Sequence, residues 1–314
     1  MTEGTKTALL HGGILLLLFA LQFLLPAYHH GNLARIMVLA SFAIGYNVMF
    51  GYTGLLSLGH ALFFAAGMYG MGLAVQYGGA GPVTAMAAGL GASVVVALAV
   101  GLLALRTAGV GFMIVTLMFA QAGYLTILYF GAYTRGDEGL VLQQAQRMLG
   151  AIDLSQPGPR YFAAFTLFAL CLLATLWMVR SPFGKVLIAI RENEERARML
   201  GYDVFRYKLA AVVISGTLCG LAGAAYGLLF GYVGATFASV QYSIFPLLWV
   251  LLGGAGTVLG PLIGTLFMFY LIDLSSSVTS AYMLVAGVVL VLLTLFAPQG
   301  LAGEIRARLW RWLP

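Results

Sequence analysis

Charge is what this chain lacks most. Only 8% of its 314 residues are Lys, Arg, Asp or Glu, while 61% are apolar. A soluble globular protein carries roughly 25% charged residues. There is too little charge here to cover a water-facing surface, which excludes the soluble globular class. Cysteine is almost missing too. Cys171 and Cys219 both lie inside apolar runs and read as small buried hydrophobes rather than a disulfide or a metal pair. No C-x-x-C or H-E-x-x-H occurs, which removes the common zinc and redox motifs. G-x-x-x-x-G-K-[ST] is absent as well. The glycine-rich stretch 253–260 lacks the lysine and sits in an apolar region, so the chain has no phosphate-binding loop of its own.

What is present are long apolar runs. Segments near or above 18 weakly charged residues recur along the whole length, each able to cross a bilayer core of about 30 Å. The class is all-α, a polytopic transmembrane helical bundle with broken helices, forming one domain over 1–314. Glycine, 41 residues of 314, suits close helix packing. The first 25 residues carry Lys6 and then an apolar run, as a signal peptide does, but no small-x-small cleavage site follows. They read as a retained first span.

Ten spans are predicted, at about 8–25, 33–50, 55–76, 82–105, 110–130, 161–179, 209–231, 244–252, 259–274 and 282–297. His29, His30 and Asn32 form a polar turn between the first two. The glycines and proline of 253–261 divide an apolar stretch too long for one helix. The longest polar loop on one side is 131–160; on the other it is 180–208. With 180–208 in the cytoplasm, Lys6, Arg106 and the tail residues Arg306, Arg308 and Arg311 also fall inside. Arg35, Arg135, Arg147 and Arg160 fall outside, which is the positive-inside bias. Both termini are then cytoplasmic. The formal charge of +6 reflects this bias rather than nucleic-acid binding.

The charged stretch stands out. Residues 180–208 read RSPFGKVLIAIRENEERARMLGYDVFRYK and hold seven Lys/Arg and four Asp/Glu. Ser181 and Pro182 suit a helix start. Phe183, Val186, Leu187, Ile190, Ala197 and Leu200 recur at three- and four-residue steps and make one apolar face. Glu192–Arg196 and Glu194–Arg198 are favourable i,i+4 pairs, and Gly201 can end the helix in a left-handed conformation. An interfacial anchor is one reading. The mixed charge favours the other, a docking helix for a soluble cytoplasmic partner.

Four stretches carry a family resemblance: GYTGLLSLGHALFFAAGMYG at 51–70, RTAGVGFMIVTLMFAQ at 106–121, ENEERARMLGYDVFRYKLAAVVISGTLCGLAGAAYG at 192–227 and LLGGAGTVLGPLIGT at 251–265. In this order they resemble the permease subunits of bacterial branched-chain amino-acid ABC transporters, the M-type of two related permeases; urea-type permeases belong to the same group. The resemblance covers about 33–300. It implies an inner-membrane, ATP-driven importer in which this chain is a non-enzymatic transport subunit. The implied partners are a second, related permease, two cytoplasmic ABC ATPases and a periplasmic binding protein. The chain itself would bind no cofactor, ATP being held by the partner ATPases. It implies ATPase docking by Arg191, Glu192, Asn193, Glu194, Arg198, Gly201 and Lys208, which match the family's R-E-N-E and G-x-x-x-x-x-Y-K pattern. The 131–160 loop would be periplasmic. There the family's T-x-G-x-x-G-L pattern stands as Thr134 to Leu140 with added charges at Arg135, Asp137 and Glu138.

Tyr52, Thr53, Gly54, Ser57 and His60, with Gly51 and Gly59, could form a broken helix whose free backbone meets a zwitterion. Close packing is the simpler reading of the same residues. Thr257, in the 253–261 break, is the other candidate for the substrate path, against a tight corner or hinge. Asn47, Gln121 and Tyr124 could line a path or bond across the bundle. Asp273 is the one acid within a predicted span, near its outer end. The alternative function is an ion-coupled secondary transporter of a small solute. The dearth of ionisable groups at mid-membrane weighs against that and against a channel.

Overall fold

The computed structural model describes residues 3–308; Arg311 of the basic tail lies outside them. Helix α1 (Glu3–Leu24) turns at Pro26 directly into α2 (Ala27–Asn47), which ends in a single wider turn, Val48–Tyr52. An extended segment then leads to α3 (His60–Gln76). Next come α4 (Pro82–Ala104) and α5 (Val110–Tyr129), then α6 (Gly131–Thr134), a single turn that opens a compact loop. In that loop β1 (Leu140–Val141) precedes a small hairpin of β2 (Met148–Leu149) and β3 (Ile152–Asp153). Helix α7 (Pro157–Arg180) leads to the short α8 (Pro182–Glu192) and α9 (Glu194–Met199), then to the long α10 (Val204–Phe230). Strand β4 (Tyr232–Val233) pairs antiparallel with β1. The chain closes with α11 (Val240–Gly253), α12 (Gly260–Val278), α13 (Tyr282–Phe296) and α14 (Gly300–Arg308). The molecule is an all-α polytopic membrane bundle.

Local chemistry sets the boundaries. Proline occupies the first turn of α4, α7, α8 and α12, where its missing N–H costs nothing. Ser181, Asn193, Asp203 and Ser239 accept hydrogen bonds from the free amides that open α8, α9, α10 and α11. Gly231, at φ +73°, ends α10.

The packing centre is α2. Ile36, Met37, Val38, Ala40, Phe42, Ala43, Tyr46 and Val48 are completely buried. Helix α10 runs antiparallel against it: Ser215 Oγ donates to Gly45 O at 2.6 Å, and Cys219 Sγ lies 3.6 Å from Phe42 O. Cys171 and Cys219 are both buried free thiols. Helix α3 lies so close to α10 that a Cβ at Gly67 would run into the carbonyl of Gly220.

Among the described residues seven helices, rather than ten, are long and apolar enough to cross a membrane: Gly4–Leu24, Tyr28–Tyr52, Pro82–Ala104, Val110–Tyr129, Pro157–Arg180, Val204–Phe230 and Gly260–Val278. The predicted spans at 55–76, 244–252 and 282–297 become α3, α11 and α13, of 17, 14 and 15 residues. At 1.5 Å per residue these reach only about 21–26 Å. For α3 the reason is local: residues 53–59 are spent on the extended segment. His29, His30 and Asn32 are not a turn but the first turns of α2. The two imidazoles are served by neighbouring helices. His30 Nε2 lies 2.8 Å from Gln22 Oε1 and the ring stacks on Tyr161 at 4.6 Å; His29 Nδ1 lies 3.1 Å from Tyr270 Oη.

The pentapeptide FGYTG at 50–54 recurs as FGYVG at 230–234. Each copy ends a long helix and hands over to a short one, through an extended segment after α2 and through β4 and a 3-10 turn at Ala235–Ala238 after α10. The long helices α2 and α10 are antiparallel, and the short helices α3 and α11 meet near their first turns, where Ala61 N donates to Ser243 Oγ at 2.9 Å. The fold thus contains an inverted pair of broken passages.

Both ends of the bundle are well defined. The C-terminal half of α1 packs on the start of α7, with Tyr161 Oη donating to Leu18 O at 2.6 Å, so α1 begins at the α8–α9 end. Helix α14 lies at that same end. The 131–156 loop and the α1–α2 bend lie at the other.

Candidate functional site

The break after α2 is built by Asn47. Its amide group donates through Nδ2 to Thr257 O at 2.9 Å and accepts through Oδ1 from Gly256 N at 2.9 Å. This clamps the end of α2 to the 254–257 turn. A Cβ at Gly51 would run into Asn47 Oδ1 and the Gly256 amide, so only glycine fits. Thr257 Oγ1 holds the turn itself, donating to Gly254 O at 2.7 Å and accepting from Gly260 N at 3.1 Å.

The wider turn leaves the Gly51 carbonyl available, and the guanidinium of Arg191 donates to it. Arg191 belongs to α8, so the charged stretch reaches the broken helix directly. Gly54, at φ +76°, lets the chain pass Arg191: an added Cβ would sit 3.1 Å from Arg191 Cγ. Arg306 of α14 approaches from the other side, its Nη1 3.4 Å from Gly256 O. Between α8, the Tyr52 turn, the 254–257 turn and α14 lies a cavity of about 720 Å³. Tyr52 and Thr257 line it.

Thr53 and Gly54 line a second cavity of about 360 Å³, shared with Arg191, Glu192, Asn193, Glu194, Arg198 and Lys208. Ser57 and His60 are completely buried. Ser57 Oγ accepts from Gly59 N at 3.0 Å and its carbonyl from Tyr46 Oη at 3.0 Å. His60 Nε2 lies 3.0 Å from Ser215 Oγ, which itself donates to Gly45 O; Nε2 is therefore the protonated nitrogen. The six path candidates divide accordingly: four line cavities at the α8–α9 end, and two are packed inside the bundle.

The charged stretch differs from the single helix expected. It breaks at Asn193, whose side chain starts α9 by accepting from Arg196 N at 2.8 Å. The break lies between Glu192 and Arg196, and no ion pair joins them among the described residues. Glu194 instead holds two cations, Arg198 at 3.2 Å and Lys208 at 2.5 Å, and so ties α9 to the first turn of α10. Gly201 turns the chain at φ +89°. Val186, Leu187, Ile190 and Ala197 are buried as the periodicity predicts. Leu200 is not: it is 70% exposed beside Met199 at 80%. Leu200 follows the last residue of α9, Met199, and so lies beyond its buried face.

Arg147 was legible in the sequence only as an outer charge. It is 8% exposed and closes the end of α10, with Nε donating to Leu228 O at 2.7 Å and the guanidinium to Leu229 O. A cation at a helix C-terminus meets its free carbonyls. Burial pulls its pKa down from the usual arginine range.

Residues 30–296 match the family model of the permease component of branched-chain amino acid transport systems. The chain belongs to that family. As a permease component it performs transport and not catalysis. The permease is 29% identical over 297 residues to the high-affinity branched-chain amino acid transport system permease proteins LivM of Salmonella typhimurium and Escherichia coli, covering 87% of this chain and 69% of each relative. It is also 27% identical over 225 residues to a probable branched-chain amino acid transport permease protein LivH of Methanocaldococcus jannaschii, covering 66% and 69%. No solved structure matches it.

Proposed function

We propose that this permease is one membrane subunit of an ATP-driven importer of branched-chain, apolar amino acids. It would pair with a related permease, dock two cytoplasmic ABC ATPases and receive substrate from a periplasmic binding protein. The observation that carries the coupling part of this reading is the Arg191 guanidinium on the Gly51 carbonyl. It joins the charged helices to the broken passage without an intervening element.

The charged stretch at 180–208 is the ATPase-docking surface, and the 131–160 loop is the periplasmic face. Within 180–208 the roles divide. Glu194 and Lys208 hold the platform together, Gly201 turns it, and Asn193 starts α9. Arg191 faces the break. Met199 and Leu200, with Tyr202 and Phe205, form an exposed apolar tip beside Arg198 that water would cover poorly. That tip is the part an ATPase groove would take.

The orientation that fits has both termini in the cytoplasm. The start of α1, the α8–α9 platform and α14 share one end, and the basic tail follows α14. The seven long helices cross the membrane in this orientation, and α3, α11 and α13 are shorter apolar elements packed among them.

The test is co-purification of the tagged permease with its ATPases from membranes, followed by ATPase and leucine uptake in proteoliposomes with the cognate binding protein. Leu200→Glu is expected to cut ATPase recovery at least about tenfold, because it buries a charge in the contact, while leaving the permease's own thermal unfolding unchanged. ATPase recovery equal to the parent would move docking away from this tip. Solute uptake driven by an ion gradient without ATPase would overturn the importer reading.

A further inference from the structure

The cavity of about 720 Å³ at the α8–α9 end carries an unusual set of groups. Arg191 donates to the Gly51 carbonyl and Arg306 lies against the Gly256 carbonyl; a guanidinium carries five donors, so each has others to offer. Glu192 stands among them with no ion-pair partner among the described residues. Tyr52 is 2% exposed and its hydroxyl has no hydrogen-bond partner among the described residues. A buried hydroxyl left unpaired is costly, so such a group calls for a ligand or water. Val179, Ile188, Leu251, Ala255 and Pro298 give the wall an apolar part, beside the polar side chains of Thr257 and Gln299.

From this set we infer that the cavity is a binding site for a zwitterionic amino acid with an apolar side chain, entered from the side where α8, α9 and α14 gather. The two guanidiniums and the Tyr52 hydroxyl would take the carboxylate. Glu192 would take the ammonium group. The apolar wall would take the branched side chain. A bare anion would leave the Glu192 carboxylate facing it unpaired, and a bare cation would meet two arginines. A ligand carrying both signs matches the lining better than either. The occupant would bridge α8, the Tyr52 turn and α14, so imported product could act on the docking platform from the cytoplasmic side.

This inference rests on the importer reading, and the experiment separates the two. The full permease–ATPase complex is placed in nanodiscs without binding protein, and radiolabelled leucine is titrated. Saturable binding is expected. Leucinamide, which lacks the carboxylate, and 4-methylpentanoate, which lacks the ammonium group, should each compete at least about tenfold more weakly, the cost of losing a charge-assisted contact. Tyr52→Phe and Arg306→Gln should each weaken leucine binding by several-fold or more without changing the unlabelled complex's elution. Competition by inorganic phosphate or 4-methylpentanoate as strong as by leucine would make it a plain anion site and overturn the inference. So would absent binding in a complex that still imports leucine in proteoliposomes. A complex that imports no branched-chain amino acid at all would instead overturn the importer reading.

Discussion

Asn47 shows how much one side chain can decide here. From the sequence it is a polar residue in an apolar span, open to a role in the path or in bonding across the bundle. In the fold it bonds both ways to the 254–257 turn, more than 200 positions away. Asn47→Asp keeps an acceptor for Gly256 N but faces Thr257 O with a second acceptor. A loss of about 2 kcal/mol or more is expected, read as a lower thermal unfolding midpoint of the purified permease; Asn47→Gln at parental stability would show the clamp to be dispensable. Asp153, in the opposite loop, gives a pH effect. Hydrogen bonds from Ser155, with others from Gln144 and Gln156, hold its carboxyl down to about 2, below the ordinary 3.8. The folded pKa is depressed, so this contribution is present above the unfolded value. It fades as pH falls from about 4 through about 2. Hydrogen exchange across residues 144–156 should quicken over that window, and Asp153→Asn should remove the pH dependence.

At the scale of the element, the α8–α9 platform is the most informative part. Its existence, its start at Ser181 and Pro182, and its inner face through Ala197 were readable from spacing and caps. Its division at Asn193 was not, because Asn193 competes with helix continuation only when its side chain turns back to an amide, a choice made by tertiary context. Leu200 was misplaced because α9 ends one residue before it, at Met199. Nor could spacing show that Arg191 bonds to Gly51, since that contact depends on the wider turn closing α2. Arg191→Lys keeps the charge but loses the planar fork. Transport per ATP hydrolysed is expected to fall several-fold, with ATPase recovery and basal hydrolysis retained. A proportionate loss of both would mean that Arg191 serves docking alone.

At the scale of the whole molecule, composition was enough for the class, and hydropathy located every apolar segment. What it could not do was separate a full helix from a short one joined to an extended stretch, since both are equally apolar. The signal that could have helped was the repeated FGYxG at 50–54 and 230–234, which marks both hand-over points. The inverted pair of short helices also bears on how the chain enters a membrane during synthesis. The insertion machinery judges each segment by its own length and apolarity, and α11 offers only 14 residues with Pro246 among them. It must therefore be carried in by partners already in place, chiefly α2, or by α12 still to come. Reporters fused after residue 254 and after residue 300 should disagree: the truncated chain is expected to leave α11 unsettled between two sides, while the longer chain reports a single one. Uniform cytoplasmic signal from both would mean that α11 inserts unaided. Membrane entry of α11 is then not the threading of an independent helix but a cooperative event shared with α2 and α12.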